Sequence, residues 1–181
     1  MQAIEAALDN GLFRWAGNML AEALWRASQN RSAEPLDFFG HAVIDGEPTM
    51  VDFHADEEKE TDPERALQCM IDRQDGFDGW VLAVDMIGIY ARRDKEEDKK
   101  YGVRVQDAIF VYGWSPELDS QIRIQQFYRP CHEGAFKMID IPLIGYHDEL
   151  LDADEAAPCL DALRIGFMRH EEAAAAYENR E

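Results

Sequence analysis

The sequence predicts an α+β fold: an antiparallel sheet, made of an N-terminal hairpin and a four-stranded meander, packed against two or three helices. Three observations predict it. Apolar residues recur at three- and four-residue steps near both ends of the chain, the middle holds successive runs rich in β-branched and aromatic residues, and short polar connectors separate those runs. Such connectors leave no room for crossover helices, so successive strands run antiparallel. The 181 residues contain no internal repeat and no low-complexity linker, so one domain over 1–181 is expected.

The first element is a helix over 3–30, because Ile4, Leu8, Leu12, Trp15, Met19 and Ala23 fall on one face without an intervening proline. Phe13, Leu20, Leu24 and Trp25 widen that face, which points to deep burial or to a homodimer contact. Asn30 to Pro35 ends the helix in turn-forming residues. A hairpin follows over 36–55. Ala42-Val43-Ile44 and Met50-Val51-Asp52-Phe53 flank Asp45-Gly46, a pair that supplies the positive φ angles of a tight turn, and Pro48 marks an edge strand or a longer loop.

A second helix starts at Thr61 or Asp62, either of which can cap it, has Pro63 in its first turn, and runs to about Asp75 before Gly76. Its core side is Ala66, Leu67, Met70 and Ile71. The meander occupies 80–90, 103–114, 121–128 and 135–141. The first of its connectors, Arg92 to Lys100, is nearly all charged and is expected to be a solvated hairpin tip. A terminal helix opens at Asp154 and carries Leu160, Leu163 and Phe167.

Eighteen Lys and Arg against thirty-seven Asp and Glu give a net charge of −19. Such a surface repels nucleic acids and anionic membranes and attracts basic macromolecules. The start Met1-Gln2-Ala3-Ile4-Glu5 is unlike a secretory leader, no apolar run approaches the length of a membrane span, and Cys69, Cys131 and Cys159 show no disulfide-type spacing. A cytoplasmic protein is expected. Phosphate-binding glycine loops, a serine-nucleophile elbow, and zinc or calcium signatures are all missing from the sequence.

Two clusters invite a chemical reading. Asp52-x-His54-x-Asp56 puts alternate side chains on one face of a strand, and His41 joins them if the hairpin loop is even. Two imidazoles with carboxylates suit a divalent metal, so an enzyme with a metal site at His41, Asp52, His54 and Asp56 is one expectation. Cys131-His132-Glu133 offers a nucleophile, a base and an acid, but neighbouring side chains in a turn seldom converge, and no catalytic residue is assigned from it.

Asp85 and Asp107 interrupt otherwise apolar strands. If the strand register puts them on one face they can form a carboxylate pair or bind a cation; otherwise each faces water or meets Arg104, Arg123 or Arg129, and cross-strand ion pairing is the arrangement favoured from sequence.

The leading functional expectation is a non-enzymatic, acidic binding module for a basic protein, of the inhibitor, immunity or adaptor kind, holding no cofactor. Its contact residues are expected among Asp56, Glu57, Glu58, Glu60, Asp148 and Glu149, with Trp114 as an apolar anchor. The alternatives are the metal enzyme and a small-molecule binder with a pocket between the sheet and the first helix, where Asp85 or Asp107 is the polar handle.

Overall fold

The computed structural model of the chain describes residues 2–51, 53, 62–90 and 104–177. Among them are seven strands in one sheet of order β2-β1-β3-β4-β5-β6-β7, in which every neighbouring pair is antiparallel. The strands are β1 (Phe39–Ile44), β2 (Glu47–Val51), β3 (Gly79–Tyr90), β4 (Arg104–Trp114), β5 (Ile122–Arg129), β6 (Lys137–Tyr146) and β7 (Glu149–Leu150). The helices are α1 (Gln2–Asp9), α2 (Leu12–Gln29), α3 (Pro63–Asp72), α4 (Ala153–Phe167) and α5 (Glu171–Tyr177). This is the expected α+β architecture. Among the described residues no helix is long and apolar enough to cross a membrane.

The N-terminal helix is broken where the apolar periodicity gave no warning. Gly11 adopts φ +88°, a left-handed conformation that costs glycine nothing, and the Asn10 side chain accepts the Leu12 N–H at 3.0 Å to start α2. The β1–β2 hairpin is closed by Asp45 and Gly46, both at positive φ, and Pro48 sits on the edge strand opposite Val43. Asp62 caps α3 by accepting the Glu64 N–H at 3.0 Å, and Pro63 occupies the first turn. At α4, Asp152 and Glu155 form a reciprocal capping box.

Strand β6 runs further than its apolar pattern suggests, because an irregularity absorbs the mismatch. Asp140 takes φ +54° near the register shift between Gln125 and Phe127, and the buried Gln126 amide donates to the Ile139 carbonyl at 2.8 Å. A buried amide bonded to an irregular strand's carbonyl satisfies both polar groups.

Strand alternation divides the core in two. Val81, Ala83, Ile109, Val111, Ile122 and Ile124 face α2, which brings Phe13, Leu20 and Leu24, and α4, which brings Leu163 and Phe167. The opposite face carries Trp80, Leu82, Val84, Phe110 and Phe127 with Ala66 and Met70 of α3. Helices α2 and α4 approach to backbone contact. Gly17 lies under the Leu163 carbonyl and Gly166 under the Arg14 carbonyl, with no space for a Cβ at either position.

Candidate functional site

The strands β3 and β4 outrun the helix laid across them, and this exposes one end of the sheet. Asp85 pairs with Ile109 and Ile87 with Asp107, so Asp85, Ile87 and Asp107 share the face that α2 covers further along. Helix α2 stops at Gln29, short of these residues. Ile87 and Val105 are therefore each 68% exposed, although their strands are core strands elsewhere. Ile87 lies across from Asp107 in the β3–β4 register, so a large exposed apolar side chain stands here beside an acid.

Beside them, where α2 ends, is a cleft of about 180 Å³ lined by Asn30, Glu34, Asp85, Ile87, Asp107 and Tyr128, with His132 also on its wall. Asp85 forms the floor and is only 8% exposed. Its carboxylate accepts the Tyr128 hydroxyl at 2.7 Å and the Leu36 backbone N–H at 2.9 Å. Those two donors stabilise the charge, but burial opposes it more strongly, and with Asp107 nearby the Asp85 pKa is raised. Burial, together with the Asp85 carboxylate it is bonded to, pushes the Tyr128 phenol upward as well. Tyr128 therefore stays a hydrogen-bond donor.

The register puts Asp85 and Asp107 on one face and corrects the expected pairing for two of the three arginines, the side chain of Arg104 lying outside the described residues. Arg123 is the register partner of Tyr112 on the α3 face, and by alternation Arg129 is on that face too, its Nε donating to the Ala135 carbonyl at 3.0 Å. Neither reaches across the sheet to Asp85 or Asp107. The parity of the β3–β4 pairing decides this, and it cannot be read from residue types.

The other candidate residues are more scattered. His41 is half-buried on β1 opposite Val81, and burial, with the Arg26 cation nearby, lowers its pKa while Glu22 opposes the change. A neutral imidazole can bind metal, but an adjacent guanidinium is a poor neighbour for a cation. Asp52, His54 and Asp56 lie outside the described residues, as do Glu57, Glu58 and Glu60 and the charged connector 92–100. Among the described residues, no group of three or more His, Cys, Asp or Glu side chains is placed to hold a metal ion.

Trp114 is half-buried between the two cores, and its indole N–H donates to the Leu118 carbonyl at 3.0 Å. Asp148 and Glu149 are exposed at the turn into β7. Cys131-His132-Glu133 forms a single 3-10 turn in which the thiol is directed at the Ser28 carbonyl, 3.1 Å away, rather than at His132.

Comparison with protein-family models, with curated proteins and with solved structures finds no significant match.

Proposed function

We propose that this protein is a non-enzymatic binding module for a basic partner protein, and that the partner docks on the exposed end of β3 and β4. The carrying observation is the pairing of two exposed aliphatic side chains, Ile87 and Val105, with a carboxylate-lined cleft in a chain of net charge −19. Charge of that sign speeds the approach of a cationic protein, whereas the apolar pair supplies contact area that charge alone does not. A lysine or arginine side chain entering the cleft meets Asp107 and Asp85 together. Its charge would relieve the repulsion between them and favour the ionised form of Asp85.

The test is a salt titration. The bait is wild-type protein, the captured basic partner is purified, and affinity is measured by calorimetry at about 50 and about 500 mM salt. Affinity should fall at least about tenfold as screening shortens the reach of the acids. Affinity unchanged across that range would remove the electrostatic part of the account.

A second reading is favoured by the floor of the cleft. A nearly buried carboxylate bonded to a tyrosine hydroxyl is the kind of polar handle that orients a small amine, and about 180 Å³ admits only a small one. Saturable binding of a simple alkylamine that is lost in Asp107→Asn, with no protein partner recovered, would favour this reading over the first.

A further inference from the structure

On the opposite face of the sheet, a second cavity of about 180 Å³ is lined by Leu67 of α3, Tyr112 of β4, Ser120, Gln121, Arg123 of β5, Gly145 and Tyr146 of β6, and Asp148. Arg123 is the one basic residue of that lining. Arg123 lies between its register partners Tyr112 and Gly145, and a Cβ built on Gly145 would be 3.4 Å from Nη2 and 3.6 Å from Nε. The bare glycine thus lets the guanidinium lie low along the sheet. Among the described residues no carboxylate is within ion-pairing distance of it. A half-buried arginine without a carboxylate is unexpected in a protein with twice as many acids as bases.

Around that cation are the groups that receive a carboxylate. The guanidinium presents a planar fork of donors, and the Tyr112 hydroxyl and the Gln121 amide also line the cavity, with the Ser120 hydroxyl donating to Gln121 Oε1 at 3.5 Å. Burial raises the Tyr112 pKa against the Arg123 charge, and the Glu64 carboxylate adds to the rise, so the hydroxyl keeps its proton. A bare anion, however, would have to approach against a field of −19. A ligand with no net charge avoids that repulsion. Asp148, on the rim of the same cavity, supplies the acceptor for an ammonium group.

We infer that this cavity binds a small zwitterion, an amino acid or a related ω-amino acid, with its carboxylate on Arg123 and its ammonium on Asp148. The site is on the α3 face and stands apart from the proposed protein-docking end of β3 and β4, so either can fail without the other.

The test is calorimetric titration of the full chain with glycine, β-alanine and γ-aminobutyrate, with acetate and methylamine as single-charge controls. At least one zwitterion should saturate the protein and bind about tenfold tighter than either control. Arg123→Gln should abolish binding. Arg123→Lys keeps the charge without the fork and should weaken binding about tenfold, and Asp148→Asn, in an exposed turn that tolerates it, should reduce zwitterion affinity to the level of acetate. The inference is overturned if no zwitterion saturates by about 50 mM or if acetate binds as tightly as the best zwitterion. It is overturned equally if Arg123→Lys and Asp148→Asn both bind like wild type.

Discussion

Substitution of Gly17 by alanine is expected to destabilise the protein even though alanine is the better helix former. In an exposed helix interior the change would gain up to about 1 kcal/mol. Here the added methyl would sit 2.0 Å from the Leu163 carbonyl oxygen and 2.8 Å from its carbon, both backbone atoms that cannot rotate away. Restoring ordinary contact requires α2 and α4 to separate by more than 1 Å, roughly the gap at which packed atoms forfeit a quarter to a half of their attraction. The buried Leu20, Leu163 and Phe167 lie in the core under that contact.

Overpacking of this kind typically costs about 1–3 kcal/mol, and with the cost near the upper end a net loss of about 2 kcal/mol is expected after the propensity gain. For a chain of this length that is a fall in Tm of roughly 4–8 °C. Gly166→Ala meets the Arg14 carbonyl oxygen at 1.8 Å and should behave alike. Because one separation of the helices accommodates both methyls, the double variant should lose less than the two single losses added together. Thermal unfolding of the three variants is the assay. A Gly17→Ala protein as stable as wild type would refute the backbone contact, and strict additivity would refute the shared displacement.

Two further predictions concern buried polar groups. The raised pKa of Asp85 means that the folded state binds its proton more tightly than the unfolded chain does. The stability it contributes is therefore present at low pH and lost as pH rises from the ordinary carboxylate value through the folded one. The Tm of Asp85→Asn, relative to wild type at the same pH, should accordingly climb from about pH 4 upward and then level off; a difference independent of pH would contradict the shift. Gln126→Leu should cost about 1–3 kcal/mol in chemical denaturation, since it removes the donor to the Ile139 and Asp140 carbonyls at the irregular part of β6. An unchanged midpoint would mean that those carbonyls find other partners.

Much of the framework was legible because it rests on local chemistry. Asp45-Gly46 closes a hairpin wherever it occurs between apolar runs, and Asp62-Pro63 starts a helix in the same way. The break at Gly11 was not legible, because a glycine within an apolar periodicity is usually tolerated and the left-handed turn is set by how α1 must pack on α2. The extension of β6 to Tyr146 was hidden by Pro142 and by the irregularity at Asp140.

The candidate site was legible only in part. Asp85 and Asp107 stand out as carboxylates in apolar strands, yet whether they share a face depends on register, a property of two strands at once. Ile87 and Val105 could not be singled out. They read as ordinary core positions, and their exposure follows from the length of α2 relative to the strands beneath it.

The proposed docking of a basic partner on the end of β3 and β4 is tested most directly by the affinity of the Ile87→Ser, Val105→Ser double variant for the purified partner. Met50→Ser provides the control, since Met50 is also a highly exposed apolar side chain, 71% accessible, but lies on the distant edge strand β2. The double variant should bind at least about tenfold more weakly than wild type, with the control unchanged. Equal affinity of the double variant and wild type would show that the partner, whatever its charge, does not dock there.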